Sequence, residues 1–190
     1  MEWNARWVPW TEEGIENLHL LQNDKGIFID SMMVGSHQGQ QFRVSYQIQC
    51  NQEWKVQTCA IRLLGAHPQE VKLQSDKQGH WVNVDNIPIP ELEGCIDVDI
   101  SVTPFTNTLP IRRLALRPGQ SADLLVVYIA LPAVEIRPMR QRYTCLEVST
   151  NGGLYRYESL LSGFSAELHV DTQGLVLDYP ELWRRSWDES

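Results

Sequence analysis

Apolar and polar residues alternate with a period of two along most of the chain after residue 26, and no stretch sustains helical periodicity for long. Period two puts successive side chains on opposite faces of an extended backbone, so the chain reads as mainly β. Strands are expected near 27–34, 41–50, 54–64, 70–74, 80–84, 96–102, 123–131, 134–137, 141–149, 154–161, 164–170 and 174–178. Between them recurs a short polar turn containing Gly: Asn23-Asp24-Lys25-Gly26, Asp76-Lys77-Gln78-Gly79, Asn151-Gly152-Gly153 and Asp171-Thr172-Gln173-Gly174. Asn and Asp satisfy such turns through side-chain hydrogen bonds and Gly takes the positive φ that closes them, which predicts antiparallel hairpins. Two segments read as helix: Thr106 to about Leu116, with Thr or Asn as cap, Pro110 in the first turn and Pro118-Gly119 as stop, and one turn near Pro180 to Arg184. So many twisted strands do not stay flat, so the expected fold is a single-domain, antiparallel rolled sheet over 1–190, roll-like or barrel-like, with at most short helices.

Composition narrows the partners. The chain has 190 residues and a formal net charge of −8. Clustered Lys and Arg, which nucleic acid and anionic membrane surfaces require, are missing from this balance, so no nucleic-acid partner is expected. The N-terminal sequence lacks a basic segment followed by an apolar run, and Leu124 to Leu131 is far short of a bilayer span. A cytoplasmic protein with no integral membrane association is the expectation. Cys50, Cys59, Cys95 and Cys145 show no C-x-x-C spacing and do not cluster with the five His, so reduced, mostly buried thiols, no metal and no cofactor are expected.

The chemistry concentrates in one run. From Cys95 to Thr103 the alternation is unbroken, with Ile96, Val98, Ile100 and Val102 on one face and Cys95, Asp97, Asp99, Ser101 and Thr103 on the other. Asp97 and Asp99, at i and i+2, point the same way. Such a pair can serve acid/base chemistry, lie on a solvated strand face, or face the interior of a roll, where Arg112, Arg113, Arg140 or Arg142 would have to neutralise it. Thr103 precedes Pro104, Thr106, Asn107 and Thr108 lie between Pro104 and Pro110, and Arg112 and Arg113 follow. This loop suits a sugar or an anionic head group, and equally a crossover whose polar groups satisfy one another.

The run Gly94-Cys95-Ile96-Asp97-Val98-Asp99 through Thr103-Pro104-Phe105-Thr106-Asn107-Thr108-Leu109-Pro110-Ile111-Arg112-Arg113-Leu114 resembles the signature of the bacterial glycolipid-binding protein family, formerly catalogued as a domain of unknown function. Gln141-Arg142-Tyr143, Tyr155-Arg156-Tyr157, Gly163-Phe164, Val170-Asp171 through Gly174-Leu175-Val176, and Tyr179-Pro180 with Trp183 extend the likeness over nearly the whole chain. Trp10 through Gly14 and Glu16 to Leu18 add a weaker N-terminal match. The resemblance implies a spiral β-roll comparable to bacterial lipoprotein carriers, and a glycolipid ligand. It brings no catalytic residues.

Seven Trp, of which Trp3, Trp7, Trp10, Trp183 and Trp187 lie near the termini, can plug the ends of a roll or line a groove. Tyr143, Tyr155 and Tyr157 sit on expected strands, the last two on one face. The leading functional expectation is non-catalytic binding or carriage of an amphipathic lipid, a glycolipid, with candidate ligand-binding residues Asp97, Asp99, Thr103, Thr106, Asn107, Arg112, Arg113, Gln141, Tyr143, Tyr155 and Tyr157. The alternatives are an enzyme of glycolipid or sugar-derivative metabolism using Asp97 and Asp99 as acid and base, with Arg112 as a clamp, and a structural interaction module. Asp99 and Arg113 are expected to form an ion pair, and the oligomeric state is left open.

Overall fold

The computed structural model describes residues 1–37 and 39–188, with only the backbone described at residues 37, 187 and 188. Its strands are β1 (Glu2–Pro9), β2 (Gly14–Asn23), β3 (Gly26–His37), β4 (Gln40–Cys50), β5 (Val56–Leu64), β6 (Gln69–Ser75), β7 (Trp81–Asn83), β8 (Asp97–Ile100), β9 (Ser121–Ala130), β10 (Glu135–Ser149), β11 (Gly152–Ser159), β12 (Ser165–Val170), β13 (Val176–Tyr179) and β14 (Trp183–Asp188). The one α-helix among the described residues is α1 (Thr108–Leu114), preceded by a 3-10 turn at Phe105–Asn107.

All strands join one sheet in the order β7-β6-β5-β4-β3-β2-β1-β14-β13-β12-β11-β10-β9-β8. Every neighbour pair is antiparallel except β8 with β9, which runs parallel from Asp97↔Val126 to Ile100↔Ile129. The mainly β, rolled fold read from periodicity is the fold observed, although the sheet curls without closing into a barrel: β7 and β8 remain its two edges. The curl tucks β8 and the following turn inside, against β2 to β5. Thr103 meets Glu16 and Tyr46 there, and the Tyr46 and Phe105 rings stack with centroids 6.5 Å apart.

Tucking β8 inside divides the interior. On one side its Val98 and Ile100 join Trp7, Leu18, Ile29 and Val44 in the main apolar core. On the other lies a smaller core rich in Tyr, with Tyr143, Tyr155, Tyr157 and Tyr179 around Leu168 and Val176. Asp97 is as buried as its apolar neighbours, because β8 has protein on both faces.

The polar Gly turns are hairpin turns as expected. At Gly26 and Gly152 the geometry demands glycine: φ is +138° and +141°, and an added Cβ would lie 2.5 Å from the Cys50 carbonyl oxygen and 2.0 Å from that of Val170.

The sequence reading misses three strands and misplaces others. β1 and β2 precede residue 26: β1 does alternate, Trp3, Ala5 and Trp7 against Glu2, Asn4 and Arg6, while in β2 the acid Glu16 stands on the apolar face of Leu18 and Leu20. β14 occupies part of the segment read as a helical turn near Pro180 to Arg184, which is instead a tight turn into a strand. β10 is one strand where two were expected. Pro138 falls in its stretch 135–140, which has β9 on one side and no strand on the other, the setting in which a strand tolerates proline. The helix stops at Leu114, before Pro118, because Ala115 turns left-handed at φ 46°. Its N-cap Asn107 makes no side-chain cap bond; that side chain is engaged elsewhere. β1 pairs with both β2 and β14, so the two ends of the chain close the middle of the sheet.

Candidate functional site

Pro104 and Pro110 stiffen the segment after β8, and the side chains of Thr103, Thr106, Asn107 and Thr108 tie it to its surroundings. Thr103 Oγ1 donates to Glu16 on β2, 2.7 Å from Oε2. Thr106 Oγ1 accepts from the Ile100 amide at 3.2 Å and donates to Asp99 Oδ1 at 3.2 Å. Asn107 Nδ2 donates to the Pro104 carbonyl, and its Oδ1 accepts from the Tyr143 hydroxyl on β10 at 2.7 Å. Thr108 donates to the Gly174 carbonyl at 2.9 Å. Thr103, Thr106, Asn107 and Tyr143 thus belong first to an internal network, which fixes the position of everything the segment presents.

Two carboxylates, Asp97 and Glu16, are buried by this arrangement and a third, Asp99, is half-buried, each with different partners. Asp97, 0% exposed, accepts a two-pronged bond from Arg113, with Nε 3.0 Å from Oδ1 and Nη2 2.6 Å from Oδ2. Burial raises its pKa more than the guanidinium lowers it. Arg113 therefore meets Asp97, and the expected Asp99–Arg113 pair does not form. α1 is the reason: it carries Arg113 back over the start of β8, where Asp97 lies two residues before Asp99.

Asp99 has neutral partners. Gln141 Nε2 donates to its Oδ2 at 2.6 Å and Thr106 to its Oδ1. Burial raises its pKa, with these two donors pulling the other way. Glu16, buried on β2, collects the hydroxyls of Ser31 at 2.8 Å, Tyr46 at 2.6 Å and Thr103. Burial pushes its carboxyl up to about 7 despite those donors.

Asp99 opens onto a pocket of about 260 Å³. Five aromatic rings line it, Tyr128 on β9, Tyr157 on β11, Phe164 in the β11–β12 turn, Tyr179 on β13 and Trp183 on β14, together with the hydroxyls of Ser101, Ser159 and Ser162. Thr103 and Asn107 form part of the same surface. The rings of Tyr157, Phe164 and Tyr179 contact one another with centroids 6.2 to 6.4 Å apart. A second depression of about 200 Å³ shares Ser101, Leu182 and Trp183 with the pocket and adds Val102 and Phe42. A third, of about 600 Å³, shares Glu13, Gly35 and Phe42 with the second and continues over Ile15, Val34 and Leu64. Here Gly14 and Gly35 lie side by side on β2 and β3 with no side chain between them. The three depressions thus adjoin at shared residues; the two beyond Asp99 are more apolar than the pocket itself, with Glu12, Glu13 and Glu181 bordering the second.

Arg112 and Tyr155 are elsewhere. They line a depression of about 480 Å³ beside the β10–β11 turn, at the end of that hairpin opposite to Gln141 and Ser159. The Arg112 guanidinium lies 5.0 Å from the Trp54 ring centroid, and its stem packs on Gly174, where a Cβ would come within 3.0 Å of Cδ.

A family model described as "Putative glycolipid-binding" matches residues 4–185. The chain belongs to this family. Among solved structures, the glycolipid-binding family chain is similar to the crystal structure of a DUF1089 family protein from Pseudomonas aeruginosa, at 37% identity and a TM-score of 0.81, covering 90% of this chain and 91% of that one. No curated protein matches it. Among the described residues no helix is long and apolar enough to cross a membrane.

The sequence-predicted residues of this family member divide accordingly. Asp99, Thr103, Asn107 and Tyr157 line the aromatic pocket, and Gln141 and Thr106 hold Asp99 from behind. Asp97 and Arg113 form a buried pair, so the two carboxylates do not face one pocket, and Arg112 is no clamp beside Asp99. The residues missed are Glu16, Tyr128, Phe164, Tyr179 and the pocket role of Trp183. Glu16 carries a readable signal: it is in phase with the inward-facing Leu18 and Leu20, an acid on an apolar face. That signal is invisible unless 14–23 is read as a strand.

Proposed function

We propose that the protein binds and carries an amphipathic lipid, a glycolipid, in the cytosol of a bacterium, without covalent chemistry. The reading rests on one observation: the aromatic pocket at Asp99 adjoins, at Ser101, Leu182 and Trp183, a second depression that in turn adjoins, at Phe42 and Gly35, the one over Ile15, Val34 and Leu64. A head group in the pocket has hydrogen-bonding partners in Asp99 and the surrounding phenols, and ring faces for stacking. A tail leaving it at Trp183 follows apolar side chains and the bare backbone of Gly14 and Gly35. The family's glycolipid description supports the same class of ligand.

Native mass spectrometry of protein purified from its own host tests this reading. The expected spectrum holds an adduct of lipid mass that organic extraction removes. Consistently ligand-free protein would overturn it.

A further inference from the structure

Resting on that reading, we propose that the head group this pocket accepts is a cation: an ammonium group, either the quaternary amine of a choline-like head or the primary amine of an amino sugar.

The case begins with the carboxylate. Both hydrogen-bond partners of Asp99 are neutral, and among the described residues it forms no ion pair. The guanidiniums of the two nearest Arg in sequence lie elsewhere, Arg113 gripping Asp97 on the same strand and Arg112 over the Trp54 ring, and Arg142 pairs with Asp123 on the surface, Nε to Oδ1 at 2.6 Å. Asp99 is half-buried and faces the pocket with no counter-ion among the described residues, so a ligand cation there gains a Coulombic partner that water supplies only in part.

The walls point the same way. Rings of Tyr128, Tyr157, Phe164, Tyr179 and Trp183 around one acid are the composition of a cage for an organic ammonium, since the faces of aromatic rings carry negative potential. The acid's field reaches the phenols of Tyr128, Tyr143, Tyr157 and Tyr179, each raised by burial first and by repulsion from Asp99 among the further causes. An anionic head group would meet that same field and be repelled. The exposed Arg137 lies with its guanidinium 5.2 Å from the Tyr128 ring centroid, an instance of a cation over one of these rings.

Calorimetric titration with four dodecyl amphiphiles below their micelle concentrations tests the proposal: dodecyltrimethylammonium, dodecylammonium, dodecyl β-D-glucoside and dodecyl sulfate. Both ammonium heads are expected to bind about tenfold or more tighter than the glucoside, with the sulfate weakest. The stronger of the two ammonium probes assigns the source, quaternary or primary. Because the net charge of −8 attracts any cation loosely, each titration is repeated on Asp99→Asn, which removes one charge only. The ammonium preference should collapse in that variant. If Asp99→Asn does not fold, Phe164→Ala, which trims a wall side chain that is 43% exposed, should weaken the ammonium probes at least several-fold more than the glucoside. A glucoside that binds as tightly as the ammonium probes, or a preference that survives Asp99→Asn, overturns the inference and leaves lipid binding standing. Failure of all four to bind overturns the lipid reading itself.

Discussion

Arg113 binds Asp97 through two parallel hydrogen bonds while Asp99, two residues on and facing the same way, is left with amide and hydroxyl partners. Adjacent positions on one strand face thus have opposite duties, the first holding the fold and the second facing a pocket.

The stabilities of the two single variants should therefore differ. Asp97→Ala strands a mostly buried guanidinium and should cost roughly 3–5 kcal/mol. Asp99→Asn keeps the side-chain shape, gives up one acceptor while removing a half-buried charge that has no ion-pair partner among the described residues, and should stay within about 1.5 kcal/mol of wild type at neutral pH. Urea denaturation of both measures it; equal losses would mean that the two acids share one structural role.

Glu16 should make stability fall as pH rises. Its carboxyl titrates near 7 in the folded protein, above the value of 4.5 for an exposed Glu. Between these values the folded state holds a proton that the unfolded chain has released, so the stability gained by keeping Glu16 neutral is complete below about 4.5 and is lost by about 7. The loss amounts to about 3 kcal/mol. Glu16→Gln should flatten the profile, and denaturation midpoints at pH 5 and pH 7.5 for both proteins show whether it does.

Close approach, beyond positive φ, governs the β11 turn. Gly119 and Gly152 both have positive φ, but a Cβ at Gly119 meets nothing within 4 Å while one at Gly152 meets the Val170 carbonyl. Gly119→Ala should cost about 1 kcal/mol from backbone strain alone, and Gly152→Ala at least about 2 kcal/mol more. Thermal unfolding of the pair isolates the steric part.

The apolar groove can be disabled without harming the fold. Leu182 is 42% exposed and borders both the aromatic pocket at Asp99 and the next depression. Leu182→Asp should change stability by under about 0.5 kcal/mol and lower retained lipid several-fold, as quantified by extraction and mass spectrometry.

Much of this was legible in the sequence. The hairpins joined by Gly turns follow from local chemistry, as does the alternation that sets Asp97 and Asp99 on one face. The Asp97–Arg113 pairing was not, because period two states which residues share a face and nothing about how far α1 carries Arg113 back along the strand. Both faces of β8 being buried was likewise illegible: that depends on the sheet curling until β8 lies against β5, a long-range event with no local code. The pocket walls draw on β9, β11, β13 and β14, four strands spread over more than 50 residues of chain. Tyr179 and Trp183 flank a Pro180 turn that reads equally well as the start of a helix, which hid two of the five rings.

The central claim is that an amphiphile lies with its head at Asp99 and its tail over Leu182 and Phe42. A crystal structure of the protein carrying its co-purified lipid tests this directly. The account predicts electron density for a head group within hydrogen-bonding distance of Asp99, continuous past Trp183 into the groove at Gly35. Lipid density in the depression at Arg112 and Trp54, with the Asp99 pocket holding only water, would contradict it.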